Sequence, residues 1–249
     1  SIILAEILAQ LLEKQGAEVV RQFELGGNLA HDGLLSGQID VYPEYTGTAY
    51  TAILKHPPLT DPQEVYDRTR GEYADKFDLV LSPPLGFAND FAILVRGDVA
   101  RQNNLKTISD AVAISRDWQA GFGQDFMSRA DGYPGFSKAY GFNFANQPRE
   151  MDLSLTYRAL RSSELDLIAG NSTDGLIAAL DLFQLEDDRH YFPPYNAVFI
   201  SRQEFDALDA TLEQLKNAIS TEEMRRLNYE VDGKKRSPRE VAAEWVGNK

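Results

Sequence analysis

The 249-residue chain is 43% hydrophobic and 25% charged, with 18 Gly, 11 Pro and no Cys, a composition that folds rather than one that stays disordered. Its 38 acidic against 25 basic residues leave a formal charge of −13, which repels phosphate backbones and anionic headgroups and makes nucleic acid a poor partner. The lack of cysteine removes disulfide scaffolds, thiolate metal sites and cysteine nucleophiles, and no stretch approaches the ~18 consecutive apolar residues of a membrane span.

From the start of the chain, Ile3, Leu4, Ile7, Leu8, Leu11 and Leu12 recur at helical spacing ahead of Gly16, which predicts an amphipathic helix over 2–15. No basic segment precedes it, and an opening already inside a helix raises the expectation of further chain upstream. Val19, Val20 and Phe23 predict a strand. Asn28 caps a short helix to about residue 36, and Ile39, Val41 and Tyr42 predict a second strand ended by Pro43. Asp61-Pro62-Gln63-Glu64 combines an N-cap, a proline in the first turn and a capping-box acid, so a helix runs to about residue 76, with a short strand at Val80 and Leu81 behind it.

Phe91 to Val95 is a compact apolar run, as expected of a central strand buried on both faces in a parallel or mixed sheet. A helix capped by Ser109 follows, then a strand near 120–123, helices near 125–130 and 136–141, and a helix from Leu153 capped by Asp152. Leu167 to Ala169 reads as a strand, with Ser172 or Thr173 capping the next helix, and Ala197 to Ile200 as another strand. The tail is helical over 204–217, 221–229 and 238–246, the last two behind Ser220…Glu223 and Ser237-Pro238-Arg239-Glu240. Strands alternating with helices imply an α/β fold with covered sheets. Two crossings of the chain, near 86–92 and 191–197, would divide it into a discontinuous lobe of residues 1–90 plus 196–249 and a second lobe of residues 91–195.

His31, His56 and His190 show no metal-ligand spacing, and GxGxxG, GxxxxGK[ST] and GxSxG are missing from the sequence. Adjacent acids such as Asp187-Asp188 and Glu222-Glu223 read as solvated surface in a chain with so many carboxylates. No catalytic residue, metal ligand or cofactor is assigned.

Five loops rich in aromatic and small polar residues each follow a predicted strand, where ligands bind in α/β sheets. They are Tyr42-Pro43-Glu44-Tyr45-Thr46-Gly47-Thr48, the segment from Gly86 to Phe91, the segment from Phe126 to Gly132, the segment from Gly170 to Gly175, and Phe192-Pro193-Pro194-Tyr195. The phrase GQIDVYPEYTGT with GFANDF, FMSRADG, NSTDG and FPPY, in this order, resembles the substrate-binding proteins of glycine betaine, choline and osmoprotectant ABC transporters. The resemblance spans nearly the whole chain and rests chiefly on YPEYTGT.

It implies a type II periplasmic-binding-protein fold, two α/β lobes joined by two crossover segments and closing on a solute in the cleft between them. It further implies that Tyr45, Phe91 and Tyr195 are walls of an aromatic box for a quaternary ammonium group, that Thr48 and Arg129 face the carboxylate of a betaine, and that Asn89 lines the box. Relatives often carry tyrosine at the position of Phe91 and an aromatic near Asn171, which would leave the box here one wall short, with Asn171 as a further ligand-binding candidate. Thr46, Asp90, Phe126, Thr173 and Asp174 are secondary candidates in the same loops. The relatives also carry a strand ending in a Lys-x-Phe-Thr-Glu-like segment just ahead of the position of Ser1.

The implied function is capture of a quaternary amine outside the cytoplasmic membrane, periplasmic or extracellular, and delivery to a permease subunit, separate or fused, powered by a partner ATPase. Membrane association would come only through a segment outside this sequence.

Read singly, the same residues have ordinary structural roles. Aromatics in α/β proteins usually pack in cores, Arg129 has Asp125 and Asp131 nearby to pair with, Thr48 suits a cap, and Asn171 and Asp174 suit a turn. Two rival functions stay open: a binding protein of this fold for another small solute such as an amino acid, and an enzyme built on the same two lobes.

Overall fold

The computed structural model describes residues 1–23, 25, 28–202 and 206–248. The first stretch of chain forms α1 (Ile2–Lys14), α2 (Leu29–Leu35), β1 (Val41–Tyr45), α3 (Thr46–Thr48) running into a π-helical turn over Ala49–Ile53, α4 (Pro62–Phe77) and β2 (Leu79–Leu81). Next come β3 (Phe91–Arg96), α5 (Gly97–Asn103), α6 (Ile108–Ile114), β4 (Ala120–Phe122), α7 (Gln124–Ser128), α8 (Tyr133–Tyr140) and β5 (Arg149–Glu150). The remainder is α9 (Leu153–Arg161), β6 (Leu167–Asn171), α10 (Leu176–Ala179), β7 (Leu182–Leu185), β8 (Ala197–Arg202), α11 (Asp206–Leu215), α12 (Thr221–Asp232) and α13 (Pro238–Gly247). Contacts divide the chain into two units, Ser1–Asn89 with Pro194–Lys249, and Asp90–Pro193.

The first unit is built on a three-stranded sheet in the order β1-β8-β2, with β8 antiparallel to both neighbours. Strand alternation makes β8 serve two cores. Ala197 and Phe199 face a cluster with α1, α11, α12 and α13, while Val198 and Ile200 face Tyr66 and Tyr73 of α4 together with Leu34 of α2. Pro43 does not end β1, which continues to Tyr45 with Pro43 opposite Phe199. An edge strand tolerates the missing N–H, because no ladder bond is needed on its open side. The strand expected at Val19, Val20 and Phe23 is not formed. Val20 is 80% exposed, and the two valines, being adjacent, cannot both face one core.

The second unit holds a five-stranded mixed sheet in the order β5-β4-β6-β3-β7. β3 lies inside it, antiparallel to β6 and β7, and buries Ala92, Ile93, Leu94 and Val95 on its two faces. β4 runs parallel to β5 and β6, so the ends of these three strands and the beginning of β3 share one edge of the sheet. Phe91 pairs there with Asn171.

The helix starts follow local chemistry, with corrections. Asp61 caps α4 by accepting from the Glu64 N–H at 2.7 Å, Asp152 caps α9 through Ser154, and Ser220 caps α12 through Glu223. α6 is capped by Thr107, not Ser109: the Thr107 hydroxyl takes the Asp110 N–H and the Asp110 carboxylate returns to the Thr107 N–H, a reciprocal box that Ser109 cannot form with the same acid. Neither Ser172 nor Thr173 caps α10, which begins behind Gly175. The helix expected over 204–217 is seen as α11 from Asp206, residues 204 and 205 lying outside the described residues.

Candidate functional site

In the first unit Thr46 and Asn89 are bonded to the segment 194–196 that carries Tyr195. Thr46, fully buried, donates its N–H to the Asn196 carbonyl at 3.0 Å and its hydroxyl to the Pro194 carbonyl at 3.2 Å, and the same hydroxyl accepts the Asn196 N–H at 3.1 Å. From the other side the Asn89 N–H donates to the Tyr195 carbonyl at 3.0 Å. These bonds tie Pro194 and Tyr195, expected with residues 91–193, into the first unit. The Tyr195 ring is 3% exposed and lies on Gly47. Tyr45, half-buried at the end of β1, packs one side against the α1 and α13 core and donates its N–H to the Glu44 carboxylate at 2.7 Å. Thr48 is half-buried where α3 passes into the π-helical turn.

In the second unit the candidates sit at the shared strand ends. A cavity of about 470 Å³ opens there, lined among others by Phe91, Asp125, Phe126, Asp152, Leu153 and Asn171. This is where an α/β sheet leaves space for ligand. The half-buried Phe91 ring stands edge-on to Phe126 at 5.0 Å between centroids and tilted to Phe192 at 5.7 Å. Phe126 is buried beneath it, against Phe122 and Phe136. Quadrupole-favoured edge contacts of this kind fix the ring's orientation more firmly than aliphatic packing does.

The Arg129 guanidinium lies over the Phe91 face, 5.4 Å from the ring centroid. Its Nε and Nη2 donate to the two oxygens of Asp131 at 2.8 and 2.6 Å. Of the two acids available to it, the structure selects Asp131, which is buried. Bidentate pairing sets the plane of the guanidinium and compensates its charge. Asn171 and Asp174 form a turn: the Asp174 carboxylate accepts the Asn171 N–H at 2.8 Å and the Tyr157 hydroxyl at 2.5 Å. Burial raises the Asp174 pKa, with these hydrogen bonds pulling it down. Asp90 and Ser172 are bonded reciprocally, the Asp90 N–H to the Ser172 hydroxyl at 3.0 Å and the Ser172 N–H to the Asp90 carbonyl at 2.8 Å. Thr173 beside them is buried.

Phe192 was not among the candidates, although it belongs to FPPY. Its backbone is held by Asp187, which accepts the Phe192 and Tyr191 N–H groups at 2.9 and 3.0 Å as well as the Tyr140 hydroxyl. An aromatic next to a double proline was the available signal. Among the described residues no group of three or more His, Cys, Asp or Glu side chains could hold a metal ion.

The family model of the substrate-binding domain of the ABC-type glycine betaine transport system matches residues 1–248. The chain belongs to this family. Among curated relatives it is 36% identical to the carnitine transport binding protein OpuCC of Listeria monocytogenes, the match covering 99% of this chain and 82% of that protein. It is also 36% identical to the ergothioneine transport permease/ergothioneine binding protein EgtU of Helicobacter pylori, over 98% of this chain but 45% of that longer protein. The crystal structure of a glycine betaine/carnitine/choline ABC transporter protein shares 37% identity at a TM-score of 0.87, covering 100% of this chain and 94% of that one. The fold is that of the type II periplasmic binding proteins.

Proposed function

We propose that this chain is the solute-capturing component of an ABC importer and that its solute is a quaternary-ammonium compound such as glycine betaine, carnitine, choline or a bulkier betaine. The observation that carries the reading is the family match over residues 1–248, which includes every loop bearing a candidate residue. The 36% identity to a carnitine-binding and to an ergothioneine-binding relative supports the ligand class.

The chemistry agrees with the residue types. A trimethylammonium group carries charge without an N–H donor, so it is recognised by π-faces and by burial of its methyl groups. In this reading Tyr45, Tyr195 and Phe91 supply aromatic faces to the ammonium group, and Asn89 and Asn171 supply polar contacts to the ligand. Each cation–π contact contributes roughly 0.5–2 kcal/mol, and micromolar binding needs about 8 kcal/mol net. Methyl burial and the Arg129 and Thr48 contacts to a ligand carboxylate supply the rest. Because Asp131 already compensates the charge of Arg129, the guanidinium acts as an oriented donor for the carboxylate rather than as a bare attracting charge. Thr46, Asp90, Phe126, Thr173 and Asp174 support these groups from behind.

The chain acts as a binder and not as an enzyme. It presents its loaded form to a membrane permease on the outer side of the cytoplasmic membrane, the ATPase of the importer supplying the energy. A permease on the same polypeptide is a second possible arrangement, since the Helicobacter pylori relative bears both names.

Calorimetric titration with glycine betaine, proline betaine, carnitine, ergothioneine, choline and arginine tests the reading. Saturable binding of at least one quaternary compound, with no binding of arginine, is the expected result. Preference for arginine would overturn it in favour of an amino-acid receptor, and turnover of a bound compound seen by mass spectrometry would overturn the assignment as a binder.

A further inference from the structure

Within the YPEYTGT segment, Thr46 and Gly47 both touch the stretch from Pro194 to Asn196. We infer that both are positioning residues for the Tyr195 ring, an inference that rests on the proposed role of that ring as a wall of the ligand site. A β-carbon added at Gly47 would lie 2.7 and 2.9 Å from the Cδ1 and Cε1 atoms of Tyr195 and 2.8 Å from the Pro194 carbonyl oxygen. Such separations are well inside van der Waals contact for carbon. The ring therefore rests directly on the backbone of Gly47, and its approach to α3 is set by the missing side chain. Gly47 does not lie among the glycines with positive φ, so close approach, not backbone conformation, is what demands glycine here.

The backbone beside the ring is held by hydrogen bonds. The Pro194 carbonyl and the Asn196 N–H are both bound by the Thr46 hydroxyl, and the Asn196 carbonyl by the Thr46 N–H. The Tyr195 carbonyl is held by the Asn89 N–H. With the backbone on both sides of Tyr195 held in this way, a methyl group at position 47 has to displace both the ring and the Pro194 carbonyl. Thr46 is fully buried and its one hydroxyl serves as both donor and acceptor, so valine, of the same shape, removes both bonds while keeping the packing. Serine keeps them.

The test is titration of a bound quaternary compound, choline or glycine betaine, into Gly47→Ala, Tyr195→Ala and the double variant. Gly47→Ala is expected to weaken binding by about tenfold, the order of one cation–π wall. In the Tyr195→Ala background the same change is expected to weaken it by clearly less than tenfold, because the ring contact is gone and only the contact with the Pro194 carbonyl remains. Full and independent losses in the two backgrounds, or an unchanged affinity for Gly47→Ala, would overturn the inference. If Gly47→Ala does not fold, Thr46→Val against Thr46→Ser decides: loss with valine and retention with serine supports it, and equal affinities overturn it. Failure of the unaltered protein to bind any quaternary compound of the panel defeats the proposed function, an unaltered affinity in Tyr195→Ala defeats the role of that ring as a wall, and either result is distinguishable from failure at positions 46 and 47.

Discussion

At the level of single residues, Tyr195 and Phe91 are held by different means, and the difference predicts different mutational behaviour. Tyr195 is seated on glycine, and the backbone around it is held by hydrogen bonds that Tyr195→Ala leaves in place. That substitution is expected to weaken every quaternary ligand by roughly 1–3 kcal/mol, the sum of lost cation–π attraction and lost burial, read by calorimetry across the ligand panel. Arg129 is oriented by Asp131 and lies over Phe91. Arg129→Ala is expected to cost betaines several-fold more than choline, which has no carboxylate to lose; equal losses for both would remove Arg129 from carboxylate recognition. The motif order in the sequence pointed to Tyr45, Phe91, Arg129 and Tyr195 together, yet residue type alone could not separate Asp131 from Asp125 as the partner of Arg129. That choice depends on how α7 ends and the chain turns at Gly132, where a β-carbon would meet the Phe126 carbonyl at 2.1 Å.

Helices and strands show the same division between what local chemistry fixes and what packing decides. The Asp61-Pro62 start of α4 was legible because its cap is satisfied within four residues. Asp61→Ala is expected to destabilise the protein by about 1 kcal/mol in chemical denaturation, with ligand affinity unchanged. Pro43 misled the reading of β1, since whether a proline can sit in a strand depends on whether that strand is an edge, a property of the sheet order. β5 and β7 escaped detection for a related reason: an exposed Arg-Glu pair and a four-residue run directly behind a short helix become strands only through their neighbours.

The contact between α2 and α4 carries a pH dependence. His31 of α2 is buried edge-on to Tyr73 and Phe77 of α4, and its Nδ1 has no hydrogen-bond partner among the described residues. Burial lowers its pKa below 6.5, with Asp32 pulling weakly upward. The unfolded chain therefore takes up a proton near 6.5 that the folded chain resists. Stability present above that pH is lost as the pH falls toward the depressed folded value. Thermal denaturation at about pH 7.5 and about pH 5.5 is expected to show a smaller drop for His31→Phe than for the unaltered protein, and equal drops would exclude His31 as the source.

For the whole molecule, the two units use sheets of different design around cores that the apolar strands β3 and β8 organise. Those two strands were the clearest in the sequence, because both are buried on two faces and so read as unbroken apolar runs. Their neighbours in the chain, residues 89–91 and 192–195, carry the rings and backbone anchors on which the functional reading depends. The proposed function rests on Tyr45, Phe91 and Tyr195 each giving a ring face to one methylated nitrogen. A crystal structure of the protein grown with choline or glycine betaine tests it most directly. The quaternary nitrogen is expected within about 6 Å of all three ring centroids; a nitrogen lying away from these rings, held by carboxylates or hydrogen-bond donors instead, would remove them from the ligand site.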